Sequence, residues 1–245
     1  MKKIIIALLM VSFSSVVSAA TKVHLDEANI DLTDKASLQR GAKLFSNYCL
    51  NCHAASFMRY NRMGKDLGIS DKLVAENLIF SDDKVGDQMK VAMTTEDGAS
   101  WFGTAPPDLS VIARAKGAGT QGADWLYTYF RSFYVDESRP FGMNNTVFKD
   151  VGMPHVLWEL QGMQKLLNAD EVKDGAAPEF ALVSTGSMTA DEYDTAARDL
   201  TNFLVYVGEP SQLKRLSLGP WVLAFLAFFF VVAYALKKEY WKDVH

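Results

Sequence analysis

The sequence predicts a mainly α-helical exported domain, interrupted by long loops and followed by one transmembrane helix near the C-terminus. Three observations predict it: an N-terminus built like a targeting signal, two stretches whose apolar residues recur at helical spacing, and an uncharged apolar block of 21 residues from Leu216 to Leu236. The 245 residues carry 25 Lys+Arg against 29 Asp+Glu, a net charge of −4. That acidic balance argues against nucleic acid as a partner, since phosphate binding requires a basic surface. Two cysteines cannot build a disulfide scaffold, so stability must come from a packed core or a bound cofactor.

The N-terminal signal is expected over residues 1–20. Lys2 and Lys3 form a charged start, Ile4 to Val11 a short apolar run, and Val17-Ser18-Ala19-Ala20 a small-residue cleavage site. Its removal takes the net charge from −4 to −6 and leaves an exported acidic domain over residues 21–213.

The anchor is expected over residues 214–237. A helix of 21 residues is about 31 Å long, the thickness of a bilayer hydrocarbon core. Phe225, Phe228, Phe229, Phe230, Val231 and Val232 leave it no polar face, unlike a core helix of a globular domain. Trp221, Tyr234, Tyr240 and Trp241 sit toward its two ends, where amphipathic rings prefer the interface. Pro220 falls near the start of the block, where a helix opening there would lose little by its missing N–H. Lys237, Lys238 and Lys242 beyond the span, together with the export signal, leave only a short cytoplasmic tail, 238–245, and put the domain outside the cytoplasmic membrane.

Both cysteines fall in one pentapeptide, Cys49-Leu50-Asn51-Cys52-His53. In an exported protein this spacing is the signature of covalently attached c-type haem. One helical turn separates the thiols, so both reach the vinyl groups on one edge of a porphyrin, and the adjacent His53 supplies the proximal iron ligand. A thioredoxin-like dithiol would leave the histidine unexplained, and a zinc site would need further ligands that are not evident. The domain is therefore expected to be a c-type cytochrome haem domain with long loop insertions.

The flanks fit a haem crevice. Asp34 is an N-cap candidate, and Leu38, Gly41, Leu44, Phe45 and Tyr48 recur at helical spacing up to Cys49. Gly41 costs about 1 kcal/mol inside a helix relative to Ala, so it needs a packing reason. Thr189-Ala190-Asp191-Glu192 reads as a capping box, followed by an apolar stripe through Tyr193, Ala196, Ala197, Leu200, Phe203, Leu204 and Val207. Two helices crossing at Gly41, with Phe203 near, would close the crevice; the alternative is a stripe that packs on its own part of the core.

A low-spin electron carrier needs a second axial ligand, and a thioether raises its potential. His24 beside the cleavage site and His245 at the tail are poorly placed. Met58 and Met63 follow His53 too closely to reach the other face, and Met89 and Met93 sit on an amphipathic stretch as core filler. Met153, Met143 and His155 remain. Gly152 and Pro154 favour Met153, because Gly permits close approach and Pro holds the preceding residue extended. Met143 has the glycine alone, and His155 would give a bis-histidine site of lower potential.

Pro106-Pro107 reads as a rigid turn, with Pro107-Asp108 opening a helix that includes Arg114. Arg114 is a candidate for a haem propionate, with a solvated surface arginine as its alternative. Trp125-Leu126-Tyr127-Thr128-Tyr129-Phe130 is aromatic enough to be core, and acidic pairs such as Asp82-Asp83 and Glu96-Asp97 read as solvated turns or a docking face for a basic partner.

With these residues in hand the sequence resembles the cytochrome c1 family of proteobacterial type, the haem subunit of quinol–cytochrome c oxidoreductase (respiratory complex III). Arg40-Gly41 before the haem pentapeptide, Pro106-Pro107-Asp108-Leu109-Ser110, Asn144-Asn145-Thr146-Val147-Phe148 and Gly152-Met153-Pro154-His155-Val156-Leu157-Trp158 carry the resemblance, which continues through Phe203 to Pro210 and the single C-terminal span. It implies His53 and Met153 as axial ligands and Pro106, Pro107 and Arg114 as pocket residues. It also implies cytochrome b and the Rieske iron–sulfur protein as partners, and a cytochrome c as acceptor. Two other functions share parts of this sequence: a free-standing membrane-anchored cytochrome c shuttle, and a haem-based sensor with an open sixth position. A haem peroxidase would usually carry a second Cys-x-x-Cys-His.

Overall fold

Two helices set the frame in the computed structural model, which describes residues 23–243. Helix α1 runs Lys35–Leu44 and continues as a π-helical turn, Phe45–Cys49. It opens where Asp34 accepts the Ser37 N–H at 3.0 Å, satisfying one of the donors a helix start leaves free. Between it and the long C-terminal helices lie α2 (Tyr60–Leu67), α3 (Asp71–Asn77), α4 (Thr95–Phe102), α5 (Ile112–Ala115), α6 (Gln121–Arg131), α7 (Trp158–Gln161) and α8 (Ala169–Lys173). Helix α9, Ala190–Gly208, opens on the expected capping box, in which the Thr189 hydroxyl accepts the Glu192 N–H and the Glu192 carboxylate accepts the Thr189 N–H. Helix α10 spans Gln212–Tyr240.

About half of the described residues are helical, and the strands form only three two-stranded antiparallel ribbons. Strand β1 (Ala55–Arg59) pairs with β2 (Gln88–Met89), β3 (Phe133–Val135) with β4 (Met143–Asn145), and β5 (Gly162–Leu166) with β6 (Phe180–Thr185). The mainly α domain with long insertions and one C-terminal apolar helix is the architecture observed. The signal segment, its cleavage site and His245 lie outside the described residues.

Helices α1 and α9 cross at Gly41, and the reason is geometric. A methyl group at Gly41 would lie 2.1 Å from the Asp199 carbonyl oxygen and 2.6 Å from Phe203 Cβ, distances that no real side chain adopts. Phe203 then stacks obliquely on Phe45, ring centroids 5.5 Å apart, and both are fully buried. Arg40 Nη2 bonds Asp199 at 2.9 Å beside the crossing, tying the same two helices. Gly41→Ala is expected to force the helices apart at a cost of about 3 kcal/mol. Thermal unfolding followed by helix ellipticity checks it, and an unchanged midpoint would contradict the close crossing.

Three local expectations need correction. Helix α10 opens at Gln212, so Pro220 lies inside it, and the Leu216 carbonyl has no N–H partner four residues on. Membrane helices tolerate this where neighbours or water re-satisfy the carbonyl. The helix bearing Arg114 does not open at Pro107-Asp108 but at Ile112, because the Asp108 carboxylate is engaged in bonds to loop backbone. Met89, on strand β2, is fully buried, as expected of core filler. Phe203 packs at the helix crossing, while its neighbour Leu204 faces the cavity described below, since consecutive helical residues point about 100° apart.

No residue of α10 is buried within the chain, so its apolar surface faces outward along its whole length. It is long and apolar enough to cross a membrane.

Candidate haem site

The π-turn delivers the first cysteine. Its wide ring is closed by the Leu50 N–H on the Phe45 carbonyl at 3.0 Å, one residue beyond ordinary helical spacing. Cys49 is thereby buried while Asn47 and Asn51 stay at the surface. The chain then tightens, with the Cys52 and His53 N–H groups both reaching the Cys49 carbonyl, at 3.0 and 2.8 Å. Cys49, Cys52 and His53 all line one cavity of about 380 Å³, a volume typical of ligand pockets. Burial pushes the Cys49 thiol up to about 12, with the neighbouring Cys52 adding to the shift, and burial raises Cys52 as well. Both therefore remain S–H groups, and each can add across a vinyl double bond to form a thioether.

His53 is held by a loop that is itself stitched down. Its Nδ1–H donates to the Pro107 carbonyl at 2.8 Å, which fixes the tautomer and leaves Nε2 as the nitrogen available to a metal. Burial lowers its pKa and the Pro107 bond partly opposes that, so the ring is neutral near pH 7. Leu109 N–H bonds the Ala54 carbonyl at 2.7 Å, while Asp108 accepts the Ser56 N–H at 3.0 Å and the Ser110 N–H at 2.7 Å. Desolvation raises the Asp108 carboxyl, but these bonds outweigh it and leave the group below the usual carboxylate range. Asp108→Ala is expected to leave two backbone donors unpaired at a cost of about 1–3 kcal/mol. That lowers the melting midpoint by a few degrees while the haem stays attached; an unchanged midpoint would show that the loop is held otherwise.

Of the three candidates for the second axial position, Met153 alone lines the cavity, together with Val151, Gly152 and Pro154. Met143 lies on β4 paired with Val135 and is 4 % exposed. His155 is stacked on Phe133, centroids 5.0 Å apart and planes 9° apart, and burial lowers its pKa to about 4. It is a neutral core histidine away from the cavity. Met58 and Met63 are likewise core, each at most 1 % exposed.

Pro106 and Pro107 line the cavity, and Arg114 does not. Arg114 is exposed, lying against Gly208 at the end of α9. Lys116, two residues on, faces the cavity, with Nζ 4.2 Å from the Trp125 ring centroid and 5.1 Å from that of Phe148. The offset follows from packing: α5 presses Ala113 against Gly122 of α6, where a methyl would lie 1.7 Å from the Ala113 carbonyl oxygen. The family resemblance implies the arginine as a pocket residue, whereas the alternative of a solvated surface arginine is what the structure shows, and the helix contact turns Lys116 inward instead.

The aromatic stretch Trp125–Phe130, expected as core, also supplies one wall of the cavity. Trp125, Tyr129 and Phe130 from α6, with Phe102 and Phe148, complete the lining. Trp125 and Tyr129 are four apart on one helix and stack at 5.0 Å, a spacing that could have marked them as a pair. Two thiols one turn apart, a histidine with Nε2 spared and a thioether share this largely apolar cavity. That donor set fits a covalently attached haem.

Comparison with known proteins agrees with this chemistry. The Cytochrome C1 family matches residues 26–244. A cytochrome c1 of Allochromatium vinosum is 49% identical, with the match covering 100% of each chain. A protein of Nitrosomonas europaea named ammonia monooxygenase gamma subunit is 47% identical over 100% of this chain and 98% of its own length. The cytochrome c1 of Rhodospirillum rubrum is 25% identical over 86% of this chain and 83% of its own. Cytochromes c1 carry one covalently attached c-type haem and are membrane-anchored electron-transfer subunits of complex III, not catalysts on their own. By the length and identity of these matches, the chain belongs to the cytochrome c1 family.

Proposed function

We propose that this subunit takes electrons from the Rieske iron–sulfur protein, beside cytochrome b, and passes them to a cytochrome c. The observation that carries the reading is the convergence of Cys49, Cys52, His53 and Met153 on one largely apolar cavity. The bound haem supplies a single iron that cycles between ferrous and ferric states. Cys49 and Cys52 would fix its edge by thioether bonds, His53 would ligate through Nε2, and Met153 would take the sixth position. The apolar lining would keep water from the iron, which with thioether ligation would raise its potential. The subunit needs no general acid or base, only a fixed iron close to donor and acceptor.

The haem domain belongs on the periplasmic side of the inner membrane, crossed once by α10. The export-type segment 1–20 and the lysines at 237, 238 and 242 support that orientation. A free-standing shuttle would share the haem and the anchor but need no stable partners, and a sensor would leave the sixth position open, a reading that Met153 in the cavity lining disfavours. The name of the Nitrosomonas relative does not move the reading, since the residues gathered here are haem anchors and axial donors.

The test uses the detergent-extracted complex. Mixing the oxidised complex with quinol should reduce this haem only while the iron–sulfur subunit is present, with b-type haem still reducible after its removal. Equal reduction of the c-type haem without that subunit would refute the proposed donor.

A further inference from the structure

We infer that Tyr129 is a positioning residue that sets the donor strength of Met153, by donating its phenolic hydrogen to the same sulfur that ligates the iron. The inference rests on Met153 as the sixth ligand.

Tyr129 Oη lies 3.2 Å from Met153 Sδ, within hydrogen-bond reach for sulfur, and among the described residues the hydroxyl has no other partner. A thioether sulfur carries two lone pairs, so one can bind iron while the other accepts this bond. The phenol is not free to turn elsewhere. Tyr129 is 7 % exposed, its ring stacks on Trp125 at 5.0 Å with planes 12° apart, and Phe133 meets it edge-on at 5.1 Å. The tyrosine and methionine come from distant parts of the chain, α6 and the segment after β4, so the contact is tertiary.

The two axial sides are thereby pushed in opposite directions. On the histidine side, Nδ1–H donates to the Pro107 carbonyl, which makes Nε2 a stronger donor and favours ferric iron. On the methionine side the bond runs toward the ligand. It draws electron density from sulfur and weakens donation that ferric iron needs more than ferrous. Tyr129 therefore favours the reduced state and holds the potential up.

Tyr129→Phe tests this, because the ring and its stacking remain and only the hydroxyl goes. In the purified holoprotein poised at a fixed ambient potential, the reduced-to-oxidised ratio should fall by about two- to tenfold, the worth of one hydrogen bond. The thioether-to-ferric-iron absorption band should persist. Tyr193→Phe serves as control: it removes a buried phenolic bond to the Phe130 carbonyl at 2.8 Å and should leave the ratio unchanged. An unchanged or increased ratio in Tyr129→Phe would overturn the inference, as would loss of the thioether band, which would make the hydroxyl a brace for the loop instead. A wild-type holoprotein without that band would mark failure of the Met153 assignment itself.

Discussion

Met153→Leu leaves the haem covalently attached and lowers its midpoint potential by on the order of 0.1 V or more, inside the roughly 0.8 V that axial ligation spans. Leucine has nearly the volume of methionine, so the wall beside Gly152 and Pro154 is kept and the fold survives. What goes is the soft sulfur that favours ferrous iron. The ferric spectrum should lose its thioether band, and small ligands should bind an iron that the native protein keeps closed. Redox titration of the purified variant reads the shift. An unchanged midpoint would eliminate Met153 as ligand and return attention to Met143 and His155, both of which would have to leave buried positions to reach the cavity.

Cys49→Ser with Cys52→Ser abolishes covalent attachment altogether. Without thioethers the haem is held by axial bonds and apolar contact alone, and it extracts into acidic organic solvent. Cys49 has a second role, being 5 % exposed at the end of the π-turn, so the double variant should also lose stability. The single Cys52→Ser variant separates the two effects. Cys52 is only half-buried, and its loss should leave one thioether, a shifted haemochrome spectrum and a folded protein. Haem retained on a denaturing gel by the double variant would refute the attachment.

Much of this arrangement was legible in the sequence wherever short spacing decides the outcome. Asp34 and the Thr189–Glu192 box act within one turn of the helices they start, so residue order alone announces them. Gly41 stood out because glycine inside an apolar stripe is costly without a neighbour that demands it, and the Asp199 carbonyl is that neighbour. The haem pentapeptide is local by nature.

What stayed hidden depends on tertiary contact. Gly152 and Pro154 favour Met153 in the sequence, but Met143 and His155 stay open as candidates until β3 and β4 pair and Phe133 takes His155 as a stacking partner. Arg114 and Lys116 are both cations on one short turn, and the packing of Ala113 on Gly122 chooses between them. Asp108 looked like a helix start, yet its carboxylate reaches back to Ser56, 52 residues earlier, to fix the loop that holds His53. Tyr129 read as plain core because nothing near it in sequence names Met153.

The most direct measurement is a reduced-minus-oxidised spectrum of the tagged protein, extracted in mild detergent and purified with whatever accompanies it. A c-type band together with co-purifying b-type haem is expected for the haem subunit of a quinol-oxidising complex. A c-type band alone from a monodisperse single chain would contradict its place in that complex, and no haem band would contradict the site itself.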